Sequence, residues 1–78
     1  MNKTRRNSLH SIISELQDIR DRLEVVKDNE YEAFENLPES LQSSERGEQM
    51  EMNADDLDAS VDSLDDVISS LQDILDNN

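Results

Sequence analysis

Residues 50–75 read MEMNADDLDASVDSLDDVISSLQDIL, and within them Met50, Ala54, Leu57, Val61, Leu64, Ile68, Leu71 and Leu75 recur at alternating steps of four and three. That spacing keeps one side of an α-helix apolar through about four heptads, whereas a half-buried strand would alternate every second residue. Upstream, Leu9, Ile12, Leu16, Ile19, Leu23 and Val26 keep the same alternation over nearly three heptads. The only proline, Pro38, and the only glycine, Gly47, fall between the two runs and mark a chain reversal. The pattern predicts a single all-α domain: a flexible basic N-terminus at 1–7, a first helix at 8–35, a turn with a short helical segment at 36–43 and a second helix at 44–76. The two long helices would pair as an antiparallel hairpin.

The turn reads NLPESLQSSERG from Asn36 to Gly47. Pro38 suits the first position of a short helical turn, where its missing N–H costs nothing. Ser43 or Ser44 can cap the second long helix, with Glu45 and Glu48 in its first turn against the positive end of the helix dipole. Asn53 is a second possible cap, but Met50 already holds the heptad phase, so the earlier start is favoured. Gly47 inside that first turn costs up to about 1 kcal/mol against alanine.

The chain of 78 residues carries 20 Asp plus Glu against 7 Lys plus Arg, a formal net charge of −13, with no cysteine and one histidine. Residues 1–28 hold six cations and five acids, a sum of +1; residues 29–78 hold only Arg46 against fifteen acids, a sum of −14. A surface of that sign repels nucleic acid and anionic lipid, because nucleic-acid binding draws its affinity from Lys and Arg on phosphates. The absence of cysteine removes disulfides and thiolate metal sites. No apolar run approaches the roughly 20 residues that span a bilayer, and none follows the basic start as a signal peptide would. The expected setting is a soluble, intracellular one, with no membrane partner. Lys3, Arg5 and Arg6 read as a solvated, mobile end; the other reading is that they neutralise Asp73 and Asp76 of the second helix beside them.

Residues 8–21, SLHSIISELQDIRD, and 63–76, SLDDVISSLQDILD, are identical at nine of fourteen positions. Duplication and convergence on a favoured core pattern both account for this. Beside the seams stand further apolar residues: Ile13 and Phe34 on the first helix, Val67 and Ile74 on the second. Three apolar positions per heptad mark a helix with more than one packing partner. A chain below about 70–80 residues without disulfide or metal usually gains stability by association. The simplest closed assembly is a two-fold dimer of hairpins forming a four-helix bundle. Its core would be Leu9, Ile12, Ile13, Leu16, Ile19, Leu23, Leu57, Val61, Leu64, Val67, Ile68, Leu71 and Ile74, with Tyr31, Phe34, Leu37 and Leu41 closing the turn end.

Candidate chemistry is sparse. His10 has no acid or second histidine one turn away, so it reads as a surface residue rather than a ligand or base. The acids from Asp55 to Asp66 fail as an EF-hand loop: begun at Asp56, Val61 stands where glycine is required, and begun at Asp62, Leu64 takes a ligand position. No catalytic constellation, cofactor motif or metal-ligand spacing stands out, so an enzyme is not expected. Carboxylates three or four residues apart on a helix repeat at about 4.5–6 Å. That is close to phosphate spacing along a nucleic-acid strand, so Asp55, Asp58, Asp62, Asp65 and Asp66 would offer a phosphate-like row to a basic groove. The alternative reading of the same acids is a charged face that keeps a wide-seamed bundle soluble.

The run Asn36-Leu37-Pro38-Glu39-Ser40-Leu41-Gln42, with Ser44, Glu45, Arg46 and Glu48, resembles a linker found in short acidic proteins of phages and prophages of Gram-positive bacteria, where it joins two acidic helices. The resemblance covers roughly residues 31–74. It implies a viral accessory protein acting by binding and inhibiting a host factor, and it carries over no catalytic or binding residue. The expected partner is a host protein with a basic surface, met by the five aspartates and, at the turn end, by Tyr31, Phe34 and Arg46. A structural bundle without a host target, and a sponge for anionic nucleotide signals using Arg5, Arg6, Arg20 or Arg22, are the alternatives.

Overall fold

A computed structural model describes residues 1–78, and the chain is all-α: α1 spans Lys3–Glu35, α2 Glu39–Gln42 and α3 Glu45–Asp76. α1 and α3 run antiparallel along their length, since Arg20 meets Asp65, Lys27 meets Asp58 and Arg6 meets Asn78. The paired helices form a rod of 58 × 16 × 13 Å.

α1 starts five residues earlier than the pattern of apolar residues indicates. The Asn2 side chain accepts a hydrogen bond from the Arg5 N–H at 2.8 Å, so the basic residues form the first helical turns rather than a flexible tail. Nor do Lys3, Arg5 and Arg6 pair with Asp73 or Asp76. Arg6 Nη2 instead donates to the main-chain oxygen of Asn78 at 2.7 Å, and the Met1 amino group donates to Asn78 Oδ1 at 3.2 Å.

At the other end α1 stops at Asn36, whose N–H donates to the Glu32 carbonyl at 2.9 Å. Pro38 stands one position before α2 as its cap, and its carbonyl accepts from Leu41 and Gln42 at 2.8 and 3.1 Å. Gln42 Nε2 reaches back to the carbonyls of Glu35 and Leu37, tying α2 to the end of α1. Ser44 caps α3: its Oγ accepts from the Gly47 N–H at 3.2 Å and donates to the Leu41 carbonyl. Replacing Ser44 by alanine removes both bonds. We expect a loss of about 1 kcal/mol, a fall of roughly 4–8 °C in a thermal melt followed by circular dichroism.

Gly47 is buried at the point where α3 passes under α2, and a Cβ there would overlap the carbonyl oxygens of Leu41 and Gln42. Helix propensity alone counts this glycine as a cost. Its role is close approach.

On α3 the residues facing α1 are the apolar series of the sequence, with Ala54, Val61 and Ile68 buried. On α1 the seam differs. The less exposed positions are Arg6, Leu9, Ile13, Leu16, Arg20, Leu23, Lys27, Glu30 and Phe34, again in steps of three and four, with Glu24 beside them under Arg20. Ile13 and Phe34, expected beside the seam, stand on it. Ile12, Ile19 and Val26, expected on it, lie outside. α1 carries two overlapping ladders that share Leu9, Leu16 and Leu23, and counting apolar residues selects the wrong one. The ladder in use admits Arg20 and Lys27 because their aliphatic stems lie along the seam while their charged ends reach acids on α3. The single-chain core is consequently four apolar side chains, Ile13, Ala54, Val61 and Ile68.

Candidate functional site

With 3.6 residues per turn, positions to either side of the two seams sort into opposite long faces of the rod. One face collects Leu9, Ile12, Leu16, Ile19, Leu23 and Val26 from α1 with Leu57, Leu64, Val67, Leu71 and Ile74 from α3. Of these, Ile12, Ile19, Val26, Val67 and Ile74 remain 40 to 52% exposed, which a finished core would not allow. Ile13, Val61 and Ile68, grouped with them by the sequence, are consumed between α1 and α3 and are closed to any second chain. The two copies of the repeat lie side by side at the open end of the rod. Equivalent pairs share one environment: Ile13 and Ile68 are buried, while Leu9 and Leu64, Ile12 and Val67, Leu16 and Leu71, and Ile19 and Ile74 fall on the apolar face.

The opposite face is acidic. It carries Asp21, Glu24, Asp28 and Glu35 from α1 and Glu48, Glu51, Asp55, Asp58, Asp62, Asp65 and Asp76 from α3, all placed by the same helical geometry. Near the turn, a groove of about 340 Å³ brings Tyr31, Asp28, Glu32 and Glu35 beside Lys27, Asp55 and Asp58. Tyr31 meets Phe34 edge to face at a centroid distance of 6.4 Å. Phe34 is half-buried in the seam, and Arg46 stands exposed at the turn without an acidic partner. Asp66 is turned away from the other four aspartates, toward the outer edge of α3. A residue directly after Asp65 is rotated about 100° from it.

Two of the aspartates singled out by spacing are already engaged. Arg20 Nε donates to Asp65 Oδ1 at 2.8 Å and its Nη2 to Asp65 Oδ2 at 3.3 Å, a two-pronged contact, while Nη1 reaches Glu24 and Asp21. Lys27 Nζ lies 2.8 Å from Asp28 and 3.8 Å from Asp58. The hydrogen bond to Asp65 pushes the Arg20 guanidinium above its ordinary range against partial desolvation, with Glu24 and Asp21 adding to the rise. Lys27 is likewise raised, by its hydrogen bond to Asp28 first and by the charges of Asp58 and Glu24 in addition, against desolvation. For a cation held above its ordinary value, the stabilisation is complete below that value, near 10.5 for lysine, and is lost as pH rises through the raised one. Both cations therefore stay charged throughout the neutral range, Arg20 bonded across the pair to Asp65 and Lys27 bonded to Asp28 on its own helix with a 3.8 Å contact to Asp58 across it. Asp55, Asp62 and Asp66 have no cation within the chain and carry uncompensated charge.

Arg20 and Lys27 are the residues that sequence spacing missed. The available signal was arithmetic: in an antiparallel pair the residue numbers in contact keep a constant sum, and 20 with 65 and 27 with 58 both give 85. His10 lines a shallow groove with Ile13, Gln72, Leu75 and Asp76. No group of three or more His, Cys, Asp or Glu side chains is arranged to hold a metal ion, and no helix is long and apolar enough to cross a membrane. No protein family, curated protein or solved structure matches the chain.

Proposed function

We propose that this chain is a phage- or prophage-encoded acidic interaction protein. It self-associates through its apolar face into a four-helix bundle, and with its acidic face it occupies the basic surface of a host nucleic-acid-handling or defence protein in the bacterial cytoplasm. The observation that carries this reading is a segregation: carboxylates gather on one long face, and Ile12, Ile19, Val26, Val67 and Ile74 stand uncovered on the other. Like charges three or four residues apart cost a helix roughly 0.2–0.5 kcal/mol per pair, so Asp55, Asp58 and Asp62 are held together at an expense that a basic partner would relieve. The uncovered aliphatic face favours, as a second reading, a structural bundle with no host target. A nucleotide sponge has less support, because Arg20 is committed to Asp65, Glu24 and Asp21, and Arg6 to Asn78.

Asp55 and Asp62 are the acids to reverse, since both lie on the acidic face and neither contributes an ion pair to the fold. In the double variant Asp55→Lys, Asp62→Lys, helix content should be retained. Salt-sensitive capture of a nucleic-acid-binding protein from bacterial lysate should fall at least about a hundredfold, as expected when close charge pairs across an interface change sign. Capture that survives the reversal would end the mimicry reading, and the absence of any such partner for the parent chain would favour the structural one.

A further inference from the structure

We infer that the apolar face is covered by a second copy of this chain whose α1 lies antiparallel to the first α1, so that the two turn ends point in opposite directions and Arg22 of each copy meets Glu15 of the partner subunit. This deepens the self-association half of the reading above and is independent of any host partner.

The rod offers a face of 58 by 16 Å, of which the apolar strip takes about 26 Å of length, roughly 400 Å² in projection, the size at which an exposed apolar patch marks an interaction site. The apolar part runs from Leu9 to Val26 on α1 and from Leu57 to Ile74 on α3, about 26 Å of helix in each case. It therefore presents two parallel ridges over one length, the shape that another such pair of ridges fits. An apolar strip of this kind in a chain with a four-residue core is a surface to be covered.

Charge decides the orientation. Glu15 and Arg22 lie on the outer rim of the apolar face of α1, seven residues and about 10 Å apart, too far to pair within one chain. Neither takes part in any of the ion pairs, which all belong to Arg20 and Lys27. A two-fold axis near Ile19, crossing the helices, sets Ile12 against Val26 of the partner subunit and, one step outward, Arg22 against Glu15 of the partner subunit, twice over. The corresponding rim of α3 carries Ser63 and Ser70, which bring no charge to its own two-fold contact.

The other two-fold arrangement stacks α1 on α3 with both turns at one end. It sets Glu15 and Arg22 against the serine rim, where neither charge is answered. It also superimposes the most acidic part of the molecule on itself, because residues 29–60 hold ten acids against Arg46 alone. The antiparallel arrangement moves those two regions to opposite ends.

The test uses purified chain only. Light scattering over a micromolar to millimolar series should give twice the 9.0 kDa chain mass. Arg22→Glu and Glu15→Arg, each alone, should weaken the dimer about tenfold, and the two combined should restore it. These rim changes leave the α1–α3 seam intact, so helix content serves as the control for folding. Because the chain has no cysteine, Ile19→Cys gives one defined thiol per copy. It should oxidise to a covalent dimer with itself. A parent chain that is monomeric throughout, a double variant that fails to recover, or an Ile19→Cys chain that cross-links only to a Val67→Cys chain would each overturn the proposal. Since no host protein is present, failure here and failure of the acidic-face reading are separate results.

Discussion

Val61→Asp is expected to unfold the chain, with loss of the helical circular-dichroism signal at 25 °C. Val61 is 3% exposed at the middle of α3 and belongs to a core of only four apolar side chains. Removing a buried valine forfeits about 1.5–3 kcal/mol, and a carboxyl group placed there without a partner costs several more. A chain of 78 residues has roughly 4–12 kcal/mol in all. The loss is thus comparable with the whole. Ala59→Asp, two residues before it and facing solvent, changes the formal charge by the same unit and should keep its helix content. The comparison separates burial from charge: two variants that melt alike would show that the seam between α1 and α3 does not hold the chain together.

Gly47→Ala should lower the melting temperature, although the same change in an ordinary helix raises it. Alanine in a helix interior is favoured over glycine by up to about 1 kcal/mol, through propensity and a less disordered unfolded chain. At Gly47 the added methyl overlaps two backbone carbonyl oxygens of α2, which cannot rotate aside as a side chain would. Either α2 lifts from α3, breaking the Ser44 bonds, or the first turn of α3 frays. Overpacking of this kind costs typically about 1–3 kcal/mol, so the net change should be destabilising by roughly 1 kcal/mol, about 4–8 °C in a chain of this length. A melt that rises on substitution would mean that α2 is not seated on α3.

The amount of structure legible in the sequence differed between the two long helices for a physical reason. Every seam position of α3 from Met50 to Leu75 is apolar, so periodicity alone identifies the side that faces α1. α1 places Arg20 and Lys27 on its seam, and a pattern of apolar residues passes over them to the neighbouring ladder through Ile12, Ile19 and Val26. The information that corrects it lies on the other helix, in the acids at 58 and 65, and becomes readable only once the pairing register is known. The start of α1 escaped for a related reason: Lys3, Arg5 and Arg6 have no apolar phase, and the helix there rests on the Asn2 cap. The acidic row at Asp55, Asp58, Asp62 and Asp65 was visible as spacing. Its partial neutralisation by Lys27 and Arg20 was not.

The elongated shape has a practical side. The radius of gyration is 17.5 Å, where a compact globule of this length would have about 11.5 Å. A rod of that kind drags more water than its mass implies, and mutual repulsion among its carboxylates excludes it further from negatively charged chromatographic media at low salt. On a size-exclusion column calibrated with globular standards, one copy would elute where two are expected, so elution volume alone would count the chains wrongly.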